Sequence, residues 1–397
     1  MQTPLTHVDL LIVGAGPVGA LLALSLADSG LRIMVVEARD GPSNDQRQFA
    51  LAYPSYQYLQ QHQVWPEAYA TPIHQVQVSQ HQSKRTTMCL DCSDIGLPSL
   101  GYVLPYSALL AAVDSRLKES ATIHYISATT VVSIQSLAAY AVVQLRQQQR
   151  DYSVTARLVV LADGGKLLAS LGVRSYRHDY QQQAWMAEVT SNTAHHGRAY
   201  EYFSQAGPMA WLPQGDAHAL PGRHTLIWTR TTTPGNAELP SAAALLAELK
   251  KHWPERSREV LQLRPLACFP LVRQWLRQPT AQRLVMIGNA AQTLHPFAAQ
   301  GYNLGLRDVR ALQQLICTTP PAQLGNTDML RRYQRLRCLD STLTMALSDS
   351  LLSILASNQT TAIRLRQLGL QLLASIKPLR RALANRLLFG EKQWEAH

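Results

Sequence analysis

The chain has 397 residues and a mass of 44.0 kDa, which is more than one ordinary domain requires. Apolar residues make up 46% of it, which excludes a disordered chain, and the composition fits neither a collagen-like nor a coiled-coil protein. The formal net charge of +11 is unevenly distributed, because residues 251–397 carry 20 of the 37 basic side chains but only 8 of the 26 acidic ones. The basic character therefore belongs to the last part of the chain.

The N-terminal segment predicts a βαβ unit. Residues 8–13 are apolar on both faces, as in a central parallel strand, and residues 20–29 have a helical pattern. Residues 32–36 predict a second strand. Residues 14–19 read G-x-G-x-x-G and connect the first strand to the helix, which is the arrangement of a dinucleotide-binding unit.

Each part of this unit has a role in binding a dinucleotide. Gly14 permits the sharp turn, Gly16 lets the backbone approach a pyrophosphate, and Gly19 allows the helix to pack closely on the strand. The helix N-terminus presents amide groups and the positive end of its dipole to the phosphates. Glu37 ends the second strand, where an acid binds ribose hydroxyls and favours FAD or NAD over NADP. A tight turn that binds nothing is the alternative.

The same segment could be mistaken for a membrane span or a signal peptide. Residues 10–27 contain no charge. However, glycines interrupt this run, and no Lys or Arg precedes it as a signal peptide requires. We therefore expect a cytoplasmic protein.

The cysteines predict neither a disulfide scaffold nor a metal site. There are five, an odd number in a long chain. Cys89 and Cys92 form a single C-x-x-C pair, whereas structural zinc needs a second pair at similar spacing. We expect reduced thiols and no bound metal.

Alternating segments in the middle of the chain predict a second sheet. Residues 184–189 and 226–229 have the pattern of strands. Such a sheet would cover the bound cofactor and form a substrate pocket. The candidate lining residues are Tyr200, Tyr202, Phe203, Met209, Trp211 and Leu212. Packing in a core is the alternative for each of them, because aromatic residues dominate cores.

A second strand–loop–helix unit lies in the C-terminal third. Residues 283–287 predict a strand that leads into G-N-A-A-Q, and after His295 and Pro296 a helical pattern begins at Tyr302. Gly301 allows the backbone to approach a flat ligand closely, and the helix start favours negative charge. A simple packing role for this glycine remains an alternative.

Residues 359–386 combine apolar positions at helical spacing with six basic side chains. This pattern predicts either a basic amphipathic element at an anionic membrane surface or a helix that covers the body of the protein. Nucleic acid binding is disfavoured, because no recognition motif accompanies the basic residues.

Taken together, these motifs resemble those of the FAD-dependent aromatic hydroxylases of the p-hydroxybenzoate hydroxylase type, over nearly the whole chain. The resemblance is carried by G-A-G-P-V-G at 14–19, G-N-A-A-Q-T-L-H-P at 288–296 and Q-G-Y-N-L-G-L-R-D at 300–308. R-A-Y-E-Y-F at 198–203 and G-P-M-A-W-L-P at 207–213 are similar to the ubiquinone-biosynthesis group, and within it to the 2-polyprenyl-6-methoxyphenol hydroxylase branch.

The resemblance implies an α/β fold in which a Rossmann-like FAD-binding domain carries an inserted β-sheet substrate domain and C-terminal helices. The FAD-binding domain is expected to be discontinuous, over residues 1–72, 101–175 and 280–340. The substrate domain is expected at 73–100 and 176–279, and the C-terminal helical region at 341–397.

The resemblance also implies the site residues. His295, Pro296 and Gly301 are expected to line the flavin, with no side-chain base assigned. The residues expected to bind FAD are Gly14, Gly16, Gly19, Glu37, Arg47, Asp163, Gly164, Asn289, Gly301, Tyr302 and Asn303.

Three positions depart from the family pattern. Asn289 replaces an acid, although an amide can still bond a ribityl hydroxyl. Leu167 stands where a serine is expected, and Ala299 stands where a glycine is common. These departures concern the loops that would contact the flavin.

The implied activity is hydroxylation of a polyprenylated phenol in ubiquinone biosynthesis. FAD reduced by NAD(P)H would react with O₂ to form a flavin hydroperoxide that transfers oxygen to the ring, because the cofactor supplies the oxygen chemistry. Other ubiquinone-biosynthesis proteins and the inner face of the membrane are expected partners. The alternatives are a flavoprotein of another reaction class and a non-catalytic subunit of a quinone-synthesis complex.

Overall fold

The structure of this protein, a computed structural model, describes residues 6–43, 45–80, 87–231, 238–295, 300–356 and 360–390. The predicted site residue Pro296 and the departure at Ala299 lie outside these ranges.

The strands are assigned in chain order. They are β1 (His7–Val13), β2 (Ile33–Val36), β3 (Gln48–Ala52), β4 (Thr71–Ile73), β5 (Gln75–Gln80), β6 (Met88–Asp91), β7 (Gly101–Pro105), β8 (Ile123–Ile126), β9 (Thr129–Ser136), β10 (Ala141–Gln147), β11 (Arg150–Leu161), β12 (Tyr176–Ser191), β13 (Arg198–Ser204), β14 (Gly207–Gln214), β15 (Gly222–Thr231), β16 (Val260–Trp275), β17 (Thr280–Ala281), β18 (Leu284–Met286) and β19 (Gln292–Thr293).

The α-helices are assigned in the same way. They are α1 (Pro17–Ser25), α2 (Tyr53–Gln61), α3 (Tyr106–Glu119), α4 (Ala242–His252), α5 (Pro254–Ser257), α6 (Gln300–Cys317), α7 (Thr327–Ala356), α8 (Thr360–Ser375) and α9 (Lys377–Phe389).

The first sheet has the order β17-β18-β11-β1-β2-β8, and the four pairs from β18 to β8 are parallel. The antiparallel strands β10 and β9 extend from β11. The six residues from Val8 to Val13 are buried, as expected for a parallel strand covered on both faces. On one face α1, α3 and α6 form the core, and on the other face β9 and β10 contribute to a second core.

The second sheet has the order β19-β16-β12-β15-β14-β13-β5-β6. It is antiparallel except for the pair β5 and β13. One face packs against α4 and α5 in a core that contains Trp211, Trp228 and Trp253. A small third sheet, β3-β7-β4, lies in the segments that connect the two larger sheets along the chain.

The C-terminal helices are tied to the second sheet by two arginines. Arg366 of α8 donates to the side chain of Gln80, at the end of β5. Arg380 of α9 forms an ion pair with Asp94, with Nη2 at 2.8 Å from Oδ1, and also donates to carbonyl groups at the end of α8. These bonds hold α8 and α9 against one side of the sheet.

The expected α/β fold of the p-hydroxybenzoate hydroxylase type is confirmed, with two local differences. The first helix ends at Ser25 instead of residue 29, because the Leu26 amide bonds to the carbonyl of Ala23 and the Ala27 amide to the carbonyl of Leu24, in a tighter turn. The amphipathic element predicted over 359–386 is divided into α8 and α9. The division falls before Pro378, which lacks an amide hydrogen and disfavours a helical residue ahead of it.

In the part of the chain that the structure describes, no helix is both long enough and apolar enough to cross a membrane.

Candidate active site

A cavity of about 1650 Å³ joins the first sheet, the second sheet and the C-terminal helices. Its walls include the glycine-rich turn after β1, the segment from Thr293 to His295, the start of α6, and residues of β13 to β16. The two clusters that were identified separately in the sequence therefore line one continuous space.

The turn after β1 is shaped for close approach of a ligand. A side chain at position 19 would bring its Cβ to 2.1 Å from the carbonyl oxygen of Gly14. The helix can therefore pack this closely on the turn only if residue 19 is a glycine. A Cβ at Gly16 would come no nearer than 4.0 Å to the Tyr106 hydroxyl and would occupy cavity space instead. Gly14 itself has a φ of +102°, which favours glycine.

Glu37 lies at the end of β2, where it borders the cavity. One carboxylate oxygen accepts the amide of Ala15 at 2.7 Å, and the other accepts the amide of Arg39 at 2.9 Å. The acid is thereby fixed beside the glycine-rich turn, in the position from which a carboxylate can bind ribose hydroxyls.

Arg47 lies at the edge of the cavity and is about half exposed. Its guanidinium bonds to Asp45, with Nη2 at 2.5 Å from Oδ2, and lies 5.4 Å from the centre of the Tyr106 ring. Asp45 is partly desolvated, which opposes ionisation, but the hydrogen bonds from Arg47 outweigh this and lower the pKa of the carboxyl group. Arg47 can therefore reach an anionic ligand only by sharing or exchanging this partner.

Asp163 and Gly164 line the cavity in the loop after β11. The Asp163 carboxylate accepts the amides of Gly165 at 3.0 Å and Leu167 at 2.8 Å, so it holds its own loop in shape. Leu167 also lines the cavity and packs against the second core. The serine expected there is thus replaced by an apolar wall residue.

The loop after β18 is held by a buried carboxylate. Asp308 of α6 is 1% exposed and accepts the amide of Gly288 at 2.9 Å and the side-chain amide of Gln292 at 2.7 Å. Arg337 of α7 donates to the same carboxylate, with its Nε at 2.6 Å from Oδ1 of Asp308. Asn289, which lies between these two anchored positions, borders the cavity.

His295 is 4% exposed and also borders the cavity. Its Nε2 lies 3.3 Å from Oε1 of Gln182, and its ring meets the edge of Tyr180 with centroids 5.1 Å apart. Burial lowers the pKa of His295 to about 4, so the imidazole is neutral at neutral pH.

The start of α6 presents Gly301, Tyr302 and Asn303 to the cavity. The Tyr302 ring stacks on Phe49 with centroids 5.4 Å apart. Asn303 Oδ1 accepts the amide of Ala52 at 3.0 Å and the Ser55 hydroxyl at 2.6 Å, which fixes α6 to the β3–α2 junction. The Asn303 side chain therefore positions the backbone of this cluster.

The second sheet divides the six predicted substrate residues between its faces. Phe203 and Leu212 line the cavity. Tyr202, Met209 and Trp211 are buried in the core against α4 and α5, and Tyr200 packs against the same core. For these last four the expected lining role is corrected to core packing, because adjacent residues of a strand point to opposite faces.

The C-terminal helices form a further wall of the cavity. Leu370 and Leu373 of α8 and Leu387 and Leu388 of α9 are among its apolar residues. Leu365 lines the cavity and is also 64% exposed, so this wall reaches the protein surface.

Sequence reasoning missed several residues of the site. Glu201 lines the cavity although its strand neighbours in the sequence are aromatic, and that isolated charge was the available signal. Asp308 was noted only as part of a motif, and its partner Arg337 is 29 residues away. Tyr106 borders the cavity without any local pattern that would single it out.

The family model described as FAD binding domain matches residues 7–338, so this chain belongs to that family. The resemblance drawn from the sequence is thus confirmed, and FAD is the cofactor. The residues fit this group: the glycines at 14 and 19 permit a turn that other residues could not form, and Gly16 leaves open space where a dinucleotide phosphate approaches.

Relatives and solved structures extend the likeness over almost the whole chain. The chain is 29% identical to "Ubiquinone hydroxylase UbiL" of Rhodospirillum rubrum, covering 94% of this chain and 87% of the relative. It is 28% identical to "3-demethoxyubiquinol 3-hydroxylase" of Escherichia coli, covering 91% and 93%. The crystal structure of p-nitrophenol 4-monooxygenase PnpA from Pseudomonas putida shares the fold, with a TM-score of 0.81, 16% identity and coverage of 98% of this chain and 100% of that one.

Proposed function

We propose that this protein is an FAD-dependent monooxygenase that hydroxylates a polyprenylated phenol in ubiquinone biosynthesis, with NAD(P)H as the electron donor and O₂ as the oxygen source. The names of the relatives support the ubiquinone pathway, and membership of the FAD-binding family supports the cofactor. The prenylated substrate is inferred from the cavity.

One observation carries the proposal: a single cavity extends from the glycine-rich turn to an apolar wall of the second sheet and the C-terminal helices. The nucleotide end offers glycines, Glu37 and backbone amides. The other end offers aliphatic side chains, which suit a ring with a long hydrocarbon tail. A small polar substrate would leave most of that wall unused.

The bound FAD supplies the activation of O₂ and the transfer of one oxygen atom. The residues of this chain bind and orient. We assign Gly14 and Gly16 to the diphosphate and Glu37 to the ribose. The neutral His295 and the start of α6 would border the ring system, where the helix dipole favours negative charge.

The test is oxygenation of a defined phenol. Purified protein loaded with FAD is incubated in air with NAD(P)H and a short-chain prenylated 2-methoxyphenol, and the product is analysed by mass spectrometry. We expect NAD(P)H oxidation to accelerate with the phenol and a product heavier by one oxygen atom. NAD(P)H oxidation without an oxygenated product would contradict the proposal.

The same experiment separates the alternatives. A flavoprotein of another reaction class would yield a product of different mass. A non-catalytic subunit would consume no NAD(P)H, and failure to retain FAD would favour that role. A Gly16→Val variant serves as the matched control. Its side chain would occupy the space through which the diphosphate approaches the turn, and would thereby abolish FAD binding.

We further propose that the protein binds the membrane surface through α8 and α9. Five apolar side chains separated by three or four residues are 42–64% exposed on these helices. They are Leu365, Leu368, Leu372, Ile376 and Leu379. Exposed basic residues, including Arg364 and Arg381, accompany them, as in helices that lie on anionic bilayers. Because Leu365 also lines the cavity, a prenyl tail could pass from the bilayer to the site.

Sedimentation with liposomes tests this contact. Leu368→Gln combined with Leu372→Gln should weaken binding to vesicles that contain phosphatidylglycerol by about tenfold, because each loses buried apolar area. Leu261→Gln is the matched control, since Leu261 is 63% exposed on β16. Equal binding by both variants and the unmodified protein would contradict the membrane proposal.

A further inference from the structure

A row of seven residues crosses the cavity face of the second sheet. Each comes from one of the seven neighbouring strands, which in sheet order are β6, β5, β13, β14, β15, β12 and β16. Backbone pairing connects each residue to the next, and all seven line the cavity. In order they are Met88, Val78, Glu201, Ala210, Ile227, Met186 and Ala267. Six of these are apolar, and Glu201 is the single ionisable member.

Among the residues that the structure describes, no charged group compensates the carboxyl group of Glu201. No hydrogen bond or ion pair joins its carboxyl group to another residue that the structure describes, and burial raises the pKa of Glu201 to about 8. Its neighbours on the adjoining strands, Val78 and Ala210, are apolar. Burial of an unpaired carboxyl group is unfavourable, so packing alone does not account for this residue.

The other titratable or charged groups on the second sheet, the loop after it and the C-terminal helices that line the cavity already have polar partners. These pairs are Arg366 with Gln80, Cys268 with Gln183, and His295 with Gln182. The cavity-lining residues of α9 are uncharged. Tyr106, Tyr302 and the ionisable groups near the glycine-rich turn line the cavity from elements outside the second sheet. The Glu201 carboxyl group is thus available to a molecule in the cavity.

We propose that Glu201 is a catalytic residue that binds the hydroxyl group of the phenol substrate and accepts its proton. This inference rests on the proposed function. It assigns a general base to a site in which the sequence motifs offered none. The apolar members of the row would lie along the ring and its substituents, and the carboxyl group would select the hydroxyl.

The proton transfer balances within the proposed reaction. The phenol O–H bond breaks, its electron pair stays on the oxygen, and the proton passes to a carboxylate oxygen of Glu201. The electron-rich ring then takes one oxygen atom from O₂, with the two electrons of NAD(P)H reducing the other. The ring carbon loses its hydrogen as a proton, which restores the phenol hydroxyl. The hydride of NAD(P)H and one proton from solvent supply the hydrogen of the new hydroxyl group and one hydrogen of water. The proton on Glu201 supplies the other hydrogen of that water molecule, which carries the second oxygen atom.

Burial suits the carboxyl group to this role. An ordinary glutamate is too weak a base for a phenol, because its pKa lies far below that of a phenol hydroxyl. A pKa of about 8 for Glu201 brings the two pKa values closer together. The group must be ionised to accept the proton. Activity should therefore rise as the pH approaches and passes that value.

Ligand binding tests the contact without any turnover. The FAD-loaded protein is titrated at pH 9 with a short-chain prenylated 2-methoxyphenol and with its O-methyl ether, under anaerobic conditions. A hydrogen bond to an ionised carboxylate should favour the phenol by about tenfold or more. Glu201→Leu should remove that preference. Equal affinities for the two ligands in the unmodified protein would overturn the inference.

The pH profile of kcat/KM tests the proton transfer. The unmodified enzyme should gain activity by about tenfold per pH unit below pH 8 and level off above it, because the base must be deprotonated. Glu201→Gln should lower kcat by about 100-fold or more and lose this rise, whereas Glu201→Asp should retain the rise at lower activity. Glu188→Gln is the matched control, since Glu188 pairs with Arg223 and Arg264 outside the cavity.

Failure of this inference and failure of the proposed function give different results. If the unmodified protein hydroxylates no phenol, the proposed function fails, and the phenol-to-ether comparison still decides whether Glu201 binds a hydroxyl. If hydroxylation occurs and Glu201→Gln matches Glu188→Gln in rate and pH profile, Glu201 is not the base. If Glu201→Gln does not fold, the ligand comparison and the pH profile of the unmodified enzyme decide alone.

Discussion

The two faces of the second sheet are built from alternate residues of the same strands, but they differ in what they bury. Trp228 is fully buried against α4 and α5, whereas its neighbour Ile227 is half-buried at the cavity. Trp211 and Ala210 divide in the same way. Trp211 and Trp228 are thus on the helix-packed face, whereas the apolar residues of the row on the cavity face have small or flexible side chains.

This difference separates stability from binding within a single sheet. The helix-packed face contributes tightly packed aromatic area, which stabilises the fold. The cavity face leaves room for a ligand and holds the one unpaired carboxyl group of the row. Substitutions of adjacent residues should therefore have different consequences, and this can be measured.

The largest effect is expected from removing a tryptophan of the helix-packed face. Trp228→Ala should lower the free energy of unfolding by about 3–5 kcal/mol, because it empties a fully buried site. Ile227→Ala should cost about 1–2 kcal/mol, because the site already borders open space. Urea unfolding of the FAD-loaded protein measures both, and equal losses would remove the distinction between the faces.

Glu201 should make the protein less stable at high pH. Its pKa is raised in the folded state, so the stabilisation is fully present below the ordinary value near 4.5 and is lost as the pH rises through about 8. Relative to the unmodified protein, Glu201→Gln should gain about 4 kcal/mol between pH 5 and pH 9. Thermal unfolding at the two pH values gives the difference, and Glu188→Gln should show no such gain.

His224 should give the opposite pH dependence from the helix-packed face. Burial, followed by the nearby His195 and Arg256, lowers the pKa of His224 to about 3. Its contribution is present above the ordinary value near 6.5 and is lost as the pH falls towards 3. His224→Phe should reduce the loss of stability between pH 7 and pH 4.5 by about 2–3 kcal/mol. If the free energy of unfolding of the variant falls between pH 7 and pH 4.5 as much as that of the unmodified protein, the prediction is wrong.

Filling the cavity face should affect binding more than stability. Ala210→Phe places a ring in the row beside Glu201 and should raise KM for a prenylated phenol by about tenfold, equivalent to about 1.4 kcal/mol. Trp211→Phe, one residue further along, should leave KM unchanged because its side chain packs against the helices. Steady-state kinetics of the two variants make the comparison.

The smallest effect is expected at Tyr200. The guanidinium of Arg256 lies 3.7 Å from the centre of its ring, and this contact uses the ring face. Tyr200→Phe should therefore change the free energy of unfolding by less than about 0.5 kcal/mol and leave KM unchanged. A marked increase in KM would place Tyr200 in the substrate site after all.

The sequence predicted the features that depend on local pattern. The apolar run of β1, the glycines after it and the acid at Glu37 are adjacent in the chain, so their physical roles could be assigned directly. The strand pattern alternates, so Tyr202 and Phe203 cannot both line the pocket as expected, and Tyr202 is the one that packs in the core. It could not show which face meets the helices, because both faces carry apolar side chains and the answer depends on α4, about 40 residues further on.

Long-range charge pairs were beyond local reasoning for a similar reason. The bond between Asp308 and Arg337 depends on how α6 packs against α7, and no spacing rule connects positions 29 residues apart. The break between α8 and α9 is different, since Pro378 was visible in the sequence. The spacing of basic and apolar residues continues across Pro378, and it therefore favoured one continuous element over two helices.

The anchoring of α6 has a consequence for the order in which the protein matures during synthesis. Its first residue, Gln300, and Arg307 both donate to the carbonyl oxygen of Leu387 in α9. Arg307 also pairs with Asp340, which is shared with Arg337, the partner of Asp308. The glycine-rich turn leaves the ribosome early, but the opposite wall of the cofactor site gains these supports only once α9 has been synthesised. Stable loading with FAD is therefore expected only after α9 has emerged from the ribosome.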